Sequence, residues 1–424
     1  IVEETKKYFG VSQATDLGEL LIYARQNQMD NLLKAVDKVY KLYPDSYECI
    51  QMYCLVQAGV HKNTQAAIDT YKAFLEKHYN LTGIRELAKL YYQSGDKAAA
   101  LELFKTAIKM APHEIRRYTD LVNEYYSLAD YQSALTYQQN SLEFVPYEGS
   151  YWQDLGKIYR ELGKTSEAIQ AYKKALEYSP TLFSAHKALR TLENKSDLFD
   201  SFPQVNPEEV FKKSPTTKEY PTDNSVILVD NKQRIVYPQG ASEERVETII
   251  KVLTQEGIDA WKEYGIPYNS NTQTLQIEKA DLLKADGTKT KAETNDNQLV
   301  FASLQAGDAI HIVYKLENYT SGMLAGHFSD RFYFNIGYPI LSSNFSLLIH
   351  KDRQFQYKTH NFSLEPSIKT IDDFKLYSWV KENTPAIEAE YYMPPIDDVA
   401  QLLEVSTMPS WQFIGDWYSD LVSI

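Results

Sequence analysis

Cysteine is nearly missing from this chain: only Cys49 and Cys54 occur in 424 residues. They sit five positions apart in a segment of helical spacing, which is not disulfide geometry, so both read as small buried apolar side chains. Such scarcity suits a cytoplasm or a bacterial periplasm. Long apolar runs are also missing, and none approaches the roughly 20 residues that a membrane-spanning helix requires. Lys and Arg never cluster, and 44 of them against 57 Asp and Glu leave a net charge of -13. Nucleic acid is therefore excluded as a partner, because phosphate binding needs a concentrated basic surface. The chain opens at Ile1 with neither a basic n-region nor an apolar h-region, which predicts a processed or excised chain.

The usual constellations of catalysis are missing as well. None of the histidines, His61, His78, His113, His186, His311, His327, His350 and His360, has a metal-ligand spacing. His311 lies between Ile310 and Ile312 on an alternating run, which predicts a solvated or half-buried strand position. Asp372, Asp373, Asp397 and Asp398 belong to no looped calcium series and read as turn or solvated acids. Asp286-Gly287 marks a turn rather than a phosphate loop. No cofactor, metal or catalytic set is expected in this chain.

What the sequence does contain is a period. Trp152, Leu155, Gly156, Tyr159, Ala168, Tyr172, Ala175 and Pro180 are preceded 34 positions earlier by Tyr118, Leu121, Val122, Tyr125, Ala134, Gln138, Ser141 and Pro146. Another period upstream stand Ile84, Leu87, Ala88, Tyr91, Ala100, Phe104, Ala107 and Pro112. Trp152, Leu155 and Tyr159 stripe a first helix; Ala168, Tyr172 and Ala175 stripe a second, and Pro180 ends it. The small residues at Gly156 and Ala168 allow close helix approach. Looser units around Leu20 to Pro44 and Tyr53 to Phe74 complete about five helix pairs from Ser12 to Leu182, with a closing helix over Phe183 to Glu193. The pattern resembles the tetratricopeptide repeat, which implies an α-solenoid built to bind proteins or peptides. The 33 tyrosines are largely absorbed by this packing, Tyr91, Tyr125, Tyr159 and Tyr172 among them, rather than by a sugar-stacking platform.

Helical spacing stops at Asp197, and Pro203, Pro207, Pro215 and Pro221 follow among Ser, Thr and Lys, which is linker composition. The expected division is a solenoid over 1–195, a Pro-rich linker over 196–223, a mostly antiparallel β-sandwich-like domain over 224–407 and a final helix over 408–424. The fold class is thus multidomain, α then β. Within the β domain, Val226 to Val229, a turn at Asp230-Asn231 and Arg234 to Tyr237 read as a hairpin. Val246 to Val252, Leu275 to Lys279, Ile310 to Leu316, Arg331 to Ile336, Phe345 to His350, Phe355 to Thr359 and Lys375 to Val380 read as strands, and Gln255 to Tyr264 as helix.

Thr254-Gln255-Glu256-Gly257, Ile266-Pro267-Tyr268, Asp286-Gly287-Thr288, Gly307-Asp308-Ala309-Ile310, Tyr314 and Pro339 are similar to an uncharacterised bacterial domain that precedes transglutaminase-like domains. Ser406-Thr407, Ser410-Trp411 and Trp417-Tyr418 resemble the helix leading into that catalytic domain. The resemblance implies a larger bacterial protein, in the periplasm or cell envelope, whose downstream part is a transglutaminase-like cysteine peptidase acting through Cys, His and Asp. No cysteine follows Cys54, so the present chain is expected to be catalytically silent. The alternative is a self-standing envelope protein whose β domain binds carbohydrate or peptide and which has no enzymatic domain.

If the solenoid binds a ligand, the first helix of each pair should present it. Between the packing positions stand Arg85, Lys89 and Tyr92, then Arg116, Asn123 and Tyr126, then Gln153, Lys157 and Arg160. Cations and amides on an acidic chain predict a peptide-binding site formed by Arg85, Lys89, Tyr92, Asn123, Tyr126, Lys157 and Arg160, suited to an acidic or carboxylate-bearing peptide.

Overall fold

In the computed structural model, which describes residues 2–319 and 323–423, the period appears as paired antiparallel helices. They are α1 (Val2–Phe9), α2 (Gln13–Arg25), α3 (Met29–Leu42), α4 (Tyr47–Leu55), α5 (Thr64–Leu75), α6 (Leu81–Ser94), α7 (Lys97–Met110), α8 (Ile115–Ser127), α9 (Tyr131–Phe144), α10 (Gly149–Glu161), α11 (Thr165–Tyr178) and α12 (Phe183–Leu192). A π-turn, Val56–Val60, carries the extra residue of the second unit. Helix α1 has no counterpart in the repeat pattern. Ile1 and Ile424, the ends of the expected solenoid and final helix, lie outside the described residues.

Two backbone devices recur with the period. Gly95, Ala129 and Gly163 occupy the left-handed region between the helices of a pair, and the next N–H in each case bonds back to Tyr91, Tyr125 or Tyr159 at 2.9 Å, the Schellman closure. At the start of the following unit, Tyr118 donates to the Pro112 carbonyl at 2.9 Å and Trp152 to that of Pro146 at 2.8 Å. His186 does the same to Pro180 at 2.9 Å. At Tyr118, Trp152 and His186 the position thus supplies a polar hydrogen as well as bulk, which Ile84, one period before Tyr118, does not. Burial pushes the His186 imidazole down to about 4, so it stays neutral near pH 7 with Nε2–H as donor.

Contacts divide the chain into two compact units, Ile1–Ala171 and Tyr172–Ile424, and the division falls within α11. The second unit centres on an eight-stranded sheet. In chain order its strands, with those of two smaller sheets, are β1 (Ser225–Val236), β2 (Ser242–Val252), β3 (Glu263–Gly265), β4 (Gln273–Leu283), β5 (Lys289–Lys291), β6 (Glu293–Asn295), β7 (Gln298–Val300), β8 (Ala309–Asn318), β9 (Ser329–Tyr333), β10 (Ile340–His350), β11 (Gln356–His360), β12 (Ser367–Ile371), β13 (Phe374–Thr384) and β14 (Leu402–Ser406). The large sheet runs β12-β13-β10-β1-β2-β8-β4-β5, and the small ones β11-β14-β9 and β3-β7-β6. Pairing is antiparallel except between β1 and β10. The unit is thus β-rich and mostly antiparallel.

Asp230-Asn231 is not a turn. Strand β1 runs through it because Asp230 is paired on both sides, with Thr248 of β2 and Ser343 of β10. The hairpin turns instead at Pro238 to Gly240, where Gly240 has φ +96°. The expected helix over Gln255 to Tyr264 stops at Trp261, and Glu263–Gly265 forms β3. Gly257 in that helix lies against backbone: a Cβ there would stand 2.1 Å from the Asn224 carbonyl oxygen.

Both faces of the large sheet are covered. On one, Ile250, Ile310 and Ile312 pack under Leu299 and Phe301, while Phe345, Leu347 and Trp379 pack under Phe332 and Leu403. On the other, Ile235, Leu348 and Leu376 meet Phe183, Leu198 and Phe202. Val226, Leu228 and Ile249 meet Val205, Val210 and Phe211. Segment 196–223, whose composition reads as linker, therefore carries a 3-10 turn (Leu198–Ser201), a short helix (Pro207–Lys212) and buried Leu198, Phe202 and Pro207. Its prolines punctuate a covering layer, since apolar side chains between them have a sheet to bury against.

Two outcomes test this packing. Ala129→Gly should stabilise the helical unit by up to about 1 kcal/mol by removing a Cβ from a left-handed position; a lower midpoint in urea would contradict the role assigned to that turn. Phe202→Ala should cost the β unit about 3 to 5 kcal/mol, and an unchanged midpoint would show that segment 196–223 is no part of its core.

Candidate functional site

Helices α6, α8 and α10 each open a pair, and matching residues on them meet. The Arg85 guanidinium grips Asp120 with Nη2 at 2.9 Å and Nε at 2.8 Å. Tyr92 and Ser127 share a hydrogen bond of 3.0 Å, and Tyr126 donates to Glu161 at 3.4 Å. These links span 35 positions, one first helix to the next. Arg85, Tyr92 and Tyr126 therefore tie neighbouring repeats together, a role that spacing within a single helix does not reveal.

The remaining cations are paired locally. Lys89 bonds Glu86 at 2.9 Å, Lys157 bonds Asp154 at 2.8 Å and Arg160 bonds Glu161 at 2.8 Å. The expected cations thus stand beside acids that are next in sequence, one helical turn away or on the adjacent helix. Burial raises the Asp120 carboxyl above its ordinary value even though Arg85 pulls it down. Burial also raises Glu124, helped by the Asp120 charge. Asn123, Tyr126 and Lys157 come together, lining a hollow of about 120 Å³ with Val122, Asp154 and Ile158. Lys89 faces a different hollow of about 250 Å³, beside Gln51, Cys54, Glu86 and Gln93. Of the seven expected residues, Asn123, Tyr126 and Lys157 thus share one hollow, and Lys89 lines another.

Cys49 and Cys54 are both free and buried. Burial pushes the Cys54 thiol up to about 12 and raises Cys49 as well, the reverse of an activated thiolate.

In the β unit, the recurring turn residues have mechanical roles. Asp308, almost wholly buried, accepts from Lys284 Nζ at 2.6 Å and from the Ala285 and Gln305 N–H groups at 2.9 Å each. Asp286 accepts from the Thr288 N–H at 2.8 Å, and Gly287 has φ +87°. The Pro339 carbonyl accepts from Ile227. His311 is not half-solvated: it is fully buried and 2.9 Å from Glu247.

A charge cluster on β1, β2 and β9 lies outside every residue set expected from the sequence. Lys232 Nζ lies 3.1 Å from Glu244 and 2.6 Å from Asp330. Arg234 Nη2 lies 2.5 Å from Glu244 and 3.0 Å from Asp330. The signal for it is charge at every second position, Asp230, Lys232 and Arg234, but with polar Asn231 and Gln233 between them no apolar alternation marks a strand there, and Asp230-Asn231 reads as a turn. Among the described residues no group of three or more His, Cys, Asp or Glu could hold a metal ion.

Tetratricopeptide repeats are found at residues 60–115 and 156–189, and a domain of unknown function with solved structure (DUF3857) at 238–300 and 294–388. No curated protein matches the sequence. Among solved structures, a candidate protease from Parabacteroides distasonis is 18% identical with a TM-score of 0.41, over 45% of this chain and 41% of that one. The chain therefore spans less than half the length of that structure. MamA is 20% identical, with a TM-score of 0.35 over 41% of this chain and 94% of its own. YrrB, a tetratricopeptide protein with an unusual peptide-binding site, is 14% identical, with a TM-score of 0.35 over 44% of this chain and 96% of its own.

Asp330→Ala should destabilise the β unit by about 3 to 5 kcal/mol, because it leaves two buried cations to share Glu244 alone. Urea denaturation followed by tryptophan fluorescence measures this, and a loss below about 1 kcal/mol would show that the cluster is held chiefly by solvent.

Proposed function

We propose that this chain is a protein- or peptide-binding scaffold, non-catalytic in itself, whose helical unit takes its partner between α8 and α10. The observation that carries the reading is the hollow where Asn123 and Tyr126 of one first helix meet Lys157 of the next, with an amide, a phenol and an ammonium at one opening. A peptide carboxylate there would take Lys157 from Asp154, an exchange between partly exposed partners that costs little, and would add the Asn123 amide as a second donor. The buried thiols of Cys49 and Cys54 support the non-catalytic part, since neither offers a nucleophile.

The larger context rests on the sequence resemblance over 224–424. We read the chain as a segment of a larger bacterial transglutaminase-like protein with a cysteine peptidase part, located in the periplasm or cell envelope. No helix among the described residues is long and apolar enough to cross a membrane. Reading the gene beyond the codon of Ile424 tests this: a Cys, His and Asp series supports the larger protein, and an immediate stop codon supports a self-standing binding protein.

For the binding site, calorimetry with an acidic peptide ending in a free carboxylate should show affinity that falls at least tenfold when the carboxylate is amidated. It should fall similarly in Asn123→Ala with Lys157→Glu, and decline with salt. Equal affinity for the acid and the amide, or for the two proteins, would overturn the site.

A further inference from the structure

The two small sheets cover the ends of one face of the large sheet and leave its middle open as a cleft of about 470 Å³. The charge cluster forms part of its lining. Each cation of that cluster is bound by both Glu244 and Asp330, so Lys232 and Arg234 have no charge to offer an anion. Asp230, two positions before Lys232 on the same face of β1, is different. It lines the cleft, is only half-buried, and neither a hydrogen bond nor an ion pair reaches its carboxylate. Three carboxylates face two cations, leaving one negative charge uncompensated. Most of the remaining lining is apolar or aromatic, with Val246, Leu316, Pro267, Ile336, Tyr314 and Phe332, and the one further amide, Gln273, is already bonded to Asn269 and Asn318.

Once a ligand covers the cleft and excludes water, a carboxylate without a partner is costly unless a cation completes it. An anionic ligand would meet net negative charge, and a neutral one would leave Asp230 unpaired. A cation on an apolar stem satisfies both parts of the surface, with its head on the carboxylate and its methylenes along the wall; aromatic rings beside it add attraction for the cation. Arg331, 55% exposed at the rim and held by Asp397 and Glu404, leaves the mouth open to a chain that continues outside. We propose that this cleft binds the basic side chain of a protein or peptide, a lysine or an arginine, with its charged head on Asp230 and its stem along Val246 and Leu316. The site is separate from the one between α8 and α10, so either can fail without the other.

Burial raises the Asp230 carboxyl to about 6, against the opposing charge of Lys232. The other titratable groups around the cleft are Lys232 and Arg234 of β1, Glu244 of β2, Tyr264 of β3, Tyr314 of β8, and Asp330, Arg331 and Tyr333 of β9, the last donating to Asp397. Burial favours the neutral form of Asp330, but Arg234 and Lys232 outweigh it and hold the carboxyl below its ordinary value. A cation bound by ionised Asp230 should therefore lose affinity as pH falls through about 6, by about tenfold between pH 7.5 and pH 5.

The test is calorimetry on the full chain with blocked tripeptides, Ala-Lys-Ala and Ala-Arg-Ala, against Ala-norleucine-Ala, with free cadaverine as a further arm. A basic peptide should bind, the norleucine peptide at least tenfold more weakly. Asp230→Asn should weaken the basic peptide at least tenfold without lowering Tm, since it removes an unpaired charge. Should that variant not fold, the pH arm on the wild-type chain decides. Equal binding by norleucine, by Asp230→Asn, or at pH 5 and pH 7.5 would overturn the proposal, as would cadaverine binding as tightly as the peptides, which would assign the cleft to free amines.

Discussion

A β-sheet that buries both faces needs two covers, and the architecture of the β unit follows from that requirement. The strands β1, β2, β8 and β10 are buried on both sides over much of their length, so neither side is left to water. One cover comes from Phe183, Leu198, Phe202 and the segment through Phe211. The other comes from two separate three-stranded sheets. Because that second cover has two pieces, the centre of the face lies open between them, and there alternating positions of β1 change from apolar to charged.

The charge cluster solves the problem that this gap creates. Lys232 and Arg234 project from a sheet whose flanks are desolvated, where an isolated cation would be unstable. Glu244 from the adjacent strand and Asp330 from β9 each contact both cations, so the side-chain network joins the large sheet to the small one above it. Its value lies in registry, because replacing such a cluster by matched apolar groups can be neutral while removing one member is costly. Asp230 is the member without a partner.

In the helical unit, packing is repeated rather than layered. The aromatic residue in the first turn of α8 and of α10 does two things at once, packing a ring and donating to the carbonyl of the proline that ended the previous helix. His186 keeps both functions at the position where the repeats give way to the sheet-covering layer: its ring stacks on Tyr237 at 3.7 Å while Nε2 bonds the Pro180 carbonyl. The fold thus uses a repeat residue as a packing residue of the β unit.

Period and alternation alone determined much of this protein. The helix pairs, their small contact residues and most strands were legible because helical spacing and strand alternation are local properties of the chain. Asn123, Tyr126 and Lys157 could be placed on first helices for the same reason. The acids that tie one first helix to the next, Asp120 on Arg85 and Glu161 on Tyr126, sit 35 positions away, and no local rule pairs them. Asp230-Asn231 read as a turn because that dipeptide favours turns, yet hydrogen bonding on both edges holds it extended. Segment 196–223 read as linker because prolines dominate its composition, yet a sheet face is available to Leu198 and Phe202. Tertiary structure alone decided the cleft, since its charges come from β1, β2 and β9, with up to 98 positions between partners, and its opening depends on where two small sheets stop.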